Sequence, residues 1–145
     1  YRFDCKWNGE VVAESKRKDL DPFLNLKYPA SDIPPQAREL FLKNHPRLIP
    51  DVQAESVPIV MTTRSRKDIN LSFANTRAVS PFHLQYLENM GVTATLSIPI
   101  RRGKNLWGLI ACHHYSGPFY LPPHVREDYE VAAMILAGKL NELSE

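Results

Sequence analysis

The side chains in this chain with chemistry to offer are few: five histidines, two cysteines, and acids and arginines scattered between them. His45, His83, His113, His114 and His124 come with no HExxH or paired-carboxylate spacing. His113 and His114 are adjacent, but neighbours on one strand point to opposite faces, so the pair does not readily chelate one metal. No metal ligand set is expected. Cys5 and Cys112 suit neither a disulfide scaffold nor a zinc site and read as free thiols in a reducing compartment. Taken singly, the other polar residues have plain readings. Asp32, just before Pro34 and Pro35, caps a helix. His83 is a core histidine, His113 a polar residue at the end of a strand. Arg47 and Arg77 are solvated charges, Tyr1, Tyr28 and Tyr86 core aromatics, and Thr95 and Ser97 strand hydroxyls. No ATP-binding motif and no phosphoacceptor context is visible, so no catalytic residue is assigned.

The elements that must position these groups can be outlined from pattern. The chain has 145 residues, 43% hydrophobic and 23% charged, which fits one domain with a core of its own. A net charge of +2 implies no phosphate-binding field, and nucleic acid is not expected as a partner. No apolar run approaches the roughly 20 residues of a membrane span. With no leader visible and two free thiols, a cytoplasmic location is expected. Residues 1–4 read as the end of a strand, Asn8-Gly9 as a hairpin turn and residues 10–14 as the returning strand. The chain is thus expected to begin inside a strand, with a truncated N-terminus. Residues 16–33 read as a loop. Ser31 or Asp32 caps a helix carrying Pro34 and Pro35 in its first turn and ending near Asn44. Residues 46–77 read as a long loop or insertion, poorly ordered over 62–72. Ser80-Pro81 opens a second helix by a hydroxyl cap and Gly91 closes it. This helix is apolar on more than one side, so it is buried or lines a cavity. Residues 94–102 and 106–115 form a central hairpin. A last helix starts at Pro122-Pro123, with Val125, Tyr129, Ala132, Leu136, Leu140 and Leu143 as its apolar stripe. Hairpins in place of βαβ crossovers predict an α+β domain, a central antiparallel β-sheet flanked by helices.

Three stretches carry a resemblance. Tyr28-Pro29-Ala30-Ser31-Asp32-Ile33-Pro34, Ser80-Pro81-Phe82-His83-Leu84-Gln85-Tyr86-Leu87-Glu88-Asn89-Met90-Gly91-Val92 and Leu106-Trp107-Gly108-Leu109-Ile110-Ala111-Cys112-His113-His114 resemble, in the right order, the chromophore-binding GAF domain of phytochromes. The likeness spans essentially the whole chain and is nearest the bacterial kind. It implies a GAF domain over residues 1–145 that binds a linear tetrapyrrole, biliverdin in particular, and senses red and far-red light.

The resemblance also implies roles. The Asp32 backbone carbonyl faces the pyrrole nitrogens and its carboxylate joins the signalling network. His83 stands over the ring system and bonds the pyrrole water. His113 bonds the D-ring carbonyl, and Tyr1, Tyr28 and Tyr86 cage that ring. Arg47 and Arg77 hold one propionate, Thr95 and Ser97 face the other, and Ile33, Pro34, Ser80 and Met90 line the pocket. Phe82 stands where plant and cyanobacterial phytochromes carry the linking Cys, so no covalent attachment point is expected in this chain. Implied partners are PAS and PHY domains, a second copy through the C-terminal helix, and a histidine kinase output on the same polypeptide; the domain itself is not an enzyme. Two other readings stay open from the residues: a GAF domain that binds another small ligand or serves only as a signalling or dimerisation module, and a metal enzyme using some of the five histidines.

Overall fold

The computed structural model describes residues 1–60 and 69–143. Its elements run β1 (Arg2–Phe3), β2 (Gly9–Glu10), β3 (Lys27–Tyr28), α1 (Pro35–Lys43), β4 (Arg47–Ile49), α2 (Pro81–Asn89), β5 (Ala94–Arg102), β6 (Asn105–His114) and α3 (Pro123–Glu142). One antiparallel sheet of six strands has the order β3-β2-β1-β6-β5-β4. The α+β expectation therefore holds.

The β5–β6 hairpin is the backbone of the sheet, and its register sorts side chains between two faces. Leu96 pairs with Cys112 and Ile98 with Ile110, on one face; Thr95 pairs with His113 and Ser97 with Ala111, on the other. β4 continues the alternation: Leu48 pairs with Leu96, while Arg47 and Ile49 pair with Ser97 and Thr95. On the first face Leu96 and Ile98 pack with Ala133 of α3, joined by Leu48, Ile110 and Leu121. On the second, Ile49 packs with Val52, Leu87 of α2 and Val92. The sheet thus lies between α3 and α2, with two small cores in place of one.

Several expectations change. The strand expected over 10–14 has only its first residue in β2, because Val11 leaves the ladder to exchange backbone bonds with Leu26 and Asn25. β3 and β4 lie inside the segments read as loops, 16–33 and 46–77. Strands of two and three residues carry no periodicity of their own; their pairing comes from the neighbouring strand. The disorder expected over 62–72 falls largely outside the described residues.

Neither expected side-chain cap forms. Pro34 is the N-cap of α1, its carbonyl accepting from the Ala37 and Arg38 amides, and Ser31 and Asp32 lie upstream. Ser80 is the N-cap of α2, but its hydroxyl makes no cap bond. Gly91 closes α2 at φ +68°, a left-handed position natural to glycine. In α3 the buried residues are Ala133 and Ala137. Of the expected stripe, Tyr129, Leu136 and Leu143 are exposed. The helix turns its small residues to the sheet, which lets the two backbones approach, and leaves Val131, Met134 and Ile135 outside.

Candidate functional site

The second face of the sheet gathers most of the polar candidates. Thr95, Ser97 and His113 share it through the β5–β6 register, and Arg47 reaches it from β4. α2 meets the same side through Leu87, and His83 and Tyr86 lie within one turn before Leu87 on that helix. β1 and β2 bring Tyr1 and Gly9, and β3 brings Tyr28 opposite Gly9.

Two electrostatic groups form there. The first is aromatic and acidic. Tyr1 lies 6.0 Å from Tyr28, centroid to centroid, and meets Phe3 edge-on at 5.2 Å. Burial pushes the Tyr1 and Tyr86 phenols up to about 12, helped in both by the Asp32 carboxylate. Tyr28 is raised by burial and then by Asp32. Asp32 is therefore close enough to act on all three rings. Its amide closes a turn onto Pro29, and its carboxylate makes no hydrogen bond among the described residues.

The second group is cationic. Arg47 donates to the carbonyls of Asn75 and Arg77, and Arg77 to that of Ala74. Neither guanidinium meets a carboxylate among the described residues. Desolvation, then the neighbouring Arg77 charge, pulls Arg47 down to about 10; burial lowers Arg77 as well. Two like charges held together this way form a place for an anion. Next to them, His83 is solvent-accessible yet crowded by protein, and desolvation followed by the Arg47 charge lowers its pKa. His113 is lowered by desolvation and then by His83. Both imidazoles are poised to stay neutral, each ring able to donate from one nitrogen and accept at the other. Neither makes a hydrogen bond within the described residues.

The remaining candidates are placed less uniformly. Thr95 is 3% exposed and its hydroxyl donates to the Cys112 carbonyl, inside the sheet, at 3.0 Å. Ser97 keeps a hydroxyl without a partner among the described residues. Ile33 is half-buried, while Pro34 and Ser80 are exposed helix caps. Met90 packs against the Ile49–Leu87 core beneath α2. Phe82 is 88% exposed and stands away from the protein interior.

Some contributors carried no signal as site residues. Gly9 was legible only as half of a hairpin dipeptide. In that turn the left-handed residue is Trp7, at φ +67°, and Gly9 serves another purpose. A Cβ on Gly9 would lie 1.7 Å from Cζ of Tyr1, so the missing side chain is the seat of the Tyr1 ring. Phe23, from the segment read as loop, stands edge-on to His113 at 6.4 Å. Elsewhere, an open hollow of about 610 Å³ between the β1–β2 and β5–β6 turns is lined by Phe3 but by none of the candidate tyrosines, histidines or arginines. Cys5 and Cys112 are free and exposed. Among the described residues no three of His, Cys, Asp and Glu converge as a metal site, and no helix is long and apolar enough to cross a membrane.

Comparison with known proteins bears on the family and the fold. A family model described as GAF domain matches residues 6–140. Cyanobacterial phytochrome B of Nostoc sp. is 52% identical over 97% of this chain and 19% of its own length. A bacteriophytochrome of Xanthomonas campestris is 47% identical over 99% of this chain and 23% of its own. The chain thus spans about a fifth of the length of the curated relatives it matches. Among solved structures, the chromophore-binding domain of a Stigmatella aurantiaca bacteriophytochrome superimposes with a TM-score of 0.93 at 44% identity, covering 97% of this chain and 46% of that one. The photosensory core module of the Stigmatella phytochrome gives 0.93 at 43% identity, over 98% and 28%.

Proposed function

Because the chain belongs to the GAF domain family, and within it to the chromophore-binding domains of bacteriophytochrome-like phytochromes, we propose that it binds a linear tetrapyrrole, biliverdin in particular, and works as the photosensory domain of a red/far-red receptor. The observation that carries this is the pairing of two groups on one sheet face: an acid-edged cluster of three tyrosines, and an arginine pair beside two neutral histidines.

The residues present fit such a ligand. Arg47 and Arg77 lack an acid partner among the described residues and suit a propionate. Ser97 offers a free hydroxyl to the other, whereas the buried Thr95 hydroxyl spends its proton on the Cys112 carbonyl within the sheet. His83 and His113, both held below the ordinary imidazole pKa, would meet the pyrrole side and a ring carbonyl as neutral donor–acceptor groups. The Asp32 backbone carbonyl supplies an acceptor to the pyrrole N–H groups, and its carboxylate, which is not used as a helix cap, offsets charge there and joins the signalling network. Tyr1, Tyr28 and Tyr86 shape the cage about the outermost ring. When bound, the bilin supplies a light-driven Z/E isomerisation at the double bond beside that ring. Ile33 and Pro34 border the Asp32 turn, and the exposed Phe82 provides no thiol for the linkage that plant and cyanobacterial phytochromes make at that position.

Further from the site, the reading places this domain between PAS and PHY domains of a longer polypeptide in the cytoplasm. A change at Asp32 and the tyrosines would bias a two-state contact with the PHY domain and reach a histidine kinase output. Val131, Met134 and Ile135, all more than half exposed on α3, suit pairing with a second copy. Addition of biliverdin followed by alternating red and far-red illumination tests the core of the reading. A red-absorbing complex with reversible difference spectra supports it. A folded protein with unbound pigment overturns it and favours another small ligand or a purely structural GAF role.

A further inference from the structure

The turn that presents Asp32 is held by side chains that none of the roles above uses. Arg38, half-buried in the first turn of α1, donates through one Nη to the carbonyls of Ile33 at 2.8 Å and Ala30 at 3.3 Å, on either side of Asp32. Its guanidinium carbon lies 4.6 Å from the centroid of the Trp7 ring. From the β1–β2 turn, Asn8 Oδ1 accepts from the Ala30 amide at 3.3 Å. Asn8 is itself fixed by Asp4, which accepts from its Nδ2 at 3.0 Å and its backbone amide at 2.8 Å. With Nδ2 engaged, Oδ1 is the end left to face Ala30. Arg38 forms no ion pair among the described residues. Its charge is met by two carbonyls and an aromatic face, which is the use for which a planar guanidinium differs most from an ammonium.

We propose that Arg38 is the positioning residue of the Asp32 turn: seated on the Trp7 indole, it fixes the carbonyls on both sides of Asp32 and so sets the direction in which that residue meets the three tyrosines. The effect on photochemistry rests on the bilin-binding reading; the hold on the turn does not. Trp7 itself sits in the β1–β2 turn at a left-handed φ of +67°.

The test uses Arg38→Lys and Trp7→Leu in the intact protein, with Arg102→Lys as a control remote from the turn. In the pigment-free protein, amide exchange at Ala30 and Asp32 is expected to quicken about tenfold in both variants, with the α1 interior unchanged. After loading with biliverdin, the fraction converted by saturating red light is expected to fall at least threefold in Arg38→Lys. In the double variant Arg38→Lys/Asp32→Ala it should equal that of Asp32→Ala alone, since Arg38 acts through Asp32. Unchanged exchange at Ala30 and Asp32, or an Arg38 effect that persists undiminished without Asp32, overturns the proposal. If the parent protein takes up no pigment, or Asp32→Ala leaves photoconversion intact, the bilin reading fails and the photochemical consequence falls with it. The exchange result still decides whether Arg38 holds the turn.

Discussion

Gly9→Ala isolates the packing of the aromatic cage. Gly9 has no left-handed φ, so alanine fits its backbone without strain. The obstacle is the Tyr1 ring: the new Cβ would stand 1.7 Å from Cζ, 1.8 Å from Oη and 2.3 Å from Cε1. The ring must leave its seat, losing the edge-on contact with Phe3 and the tilted one with Tyr28. Such pairs are each worth about 0.5–1.5 kcal/mol beyond area burial, so the loss is roughly 1–3 kcal/mol. For a domain of this size that lowers Tm by about 3–10 °C. Chemical denaturation at neutral pH gives the free energy, and a double-mutant cycle with Tyr1→Ala gives the cause. Once Tyr1 is truncated, Gly9→Ala should cost less than about 0.5 kcal/mol, the size of an ordinary uncoupled substitution. A spectrophotometric tyrosine titration supplies an independent reading: freed from its pocket, Tyr1 should ionise below its present value of about 12. A cost of similar size in both backgrounds would falsify the packing argument, because the penalty would then belong to the β2 backbone.

Other outcomes follow from the same geometry. Tyr1, Tyr28 and Tyr86 are raised, so the native state holds protons that the unfolded chain releases above about 10; stability should fall as pH climbs from about 10 toward 12, and Tyr86→Phe should flatten that limb of a Tm–pH curve. His83 and His113 are lowered, so the unfolded chain binds more protons below its imidazole pKa near 6.5; stability should drop on acidification from pH 7 to 5, and a double His83→Gln/His113→Gln variant should remove part of the slope. Arg77→Gln removes one of two repelling charges, so the pigment-free protein should melt no lower at low salt while biliverdin affinity falls about 10- to 100-fold, the worth of a charge-assisted bond of roughly 1.5–3 kcal/mol; a lower Tm with unchanged affinity would reverse the assignment. Arg101 donates to the Phe41 and Asn44 carbonyls at the end of α1 and lies 3.5 Å from Glu130 of α3. Arg101→Met should cost about 2–3 kcal/mol in urea denaturation through the α1 carbonyls it leaves unpaired, and an effect below about 0.5 kcal/mol would show that water replaces it freely.

The residues themselves settled the class of fold and the long elements. Gly91 marked the end of α2, prolines marked all three helix starts, and the apolar clusters of 94–102 and 106–115 marked the central hairpin, because these signals act within a few residues of chain. The motifs around Asp32, His83 and His113 were legible as a family likeness, so the candidates could be named before any coordinate. Tertiary structure decided how they are joined. Strands as short as β3 and β4 exist only because a partner supplies their hydrogen bonds, and no local pattern announces them. The inward face of α3 went to Ala133 and Ala137 in preference to the larger Leu136 and Tyr129, since close approach to a sheet rewards small side chains as well as apolar ones. The seat of Tyr1 on Gly9, the lowering of Arg47 by burial and the Arg77 charge and the Arg38 clasp on the Asp32 turn each depend on atoms brought together from distant positions. Distance in space sets both steric overlap and charge interaction, and a linear pattern holds that information only once the chain has folded.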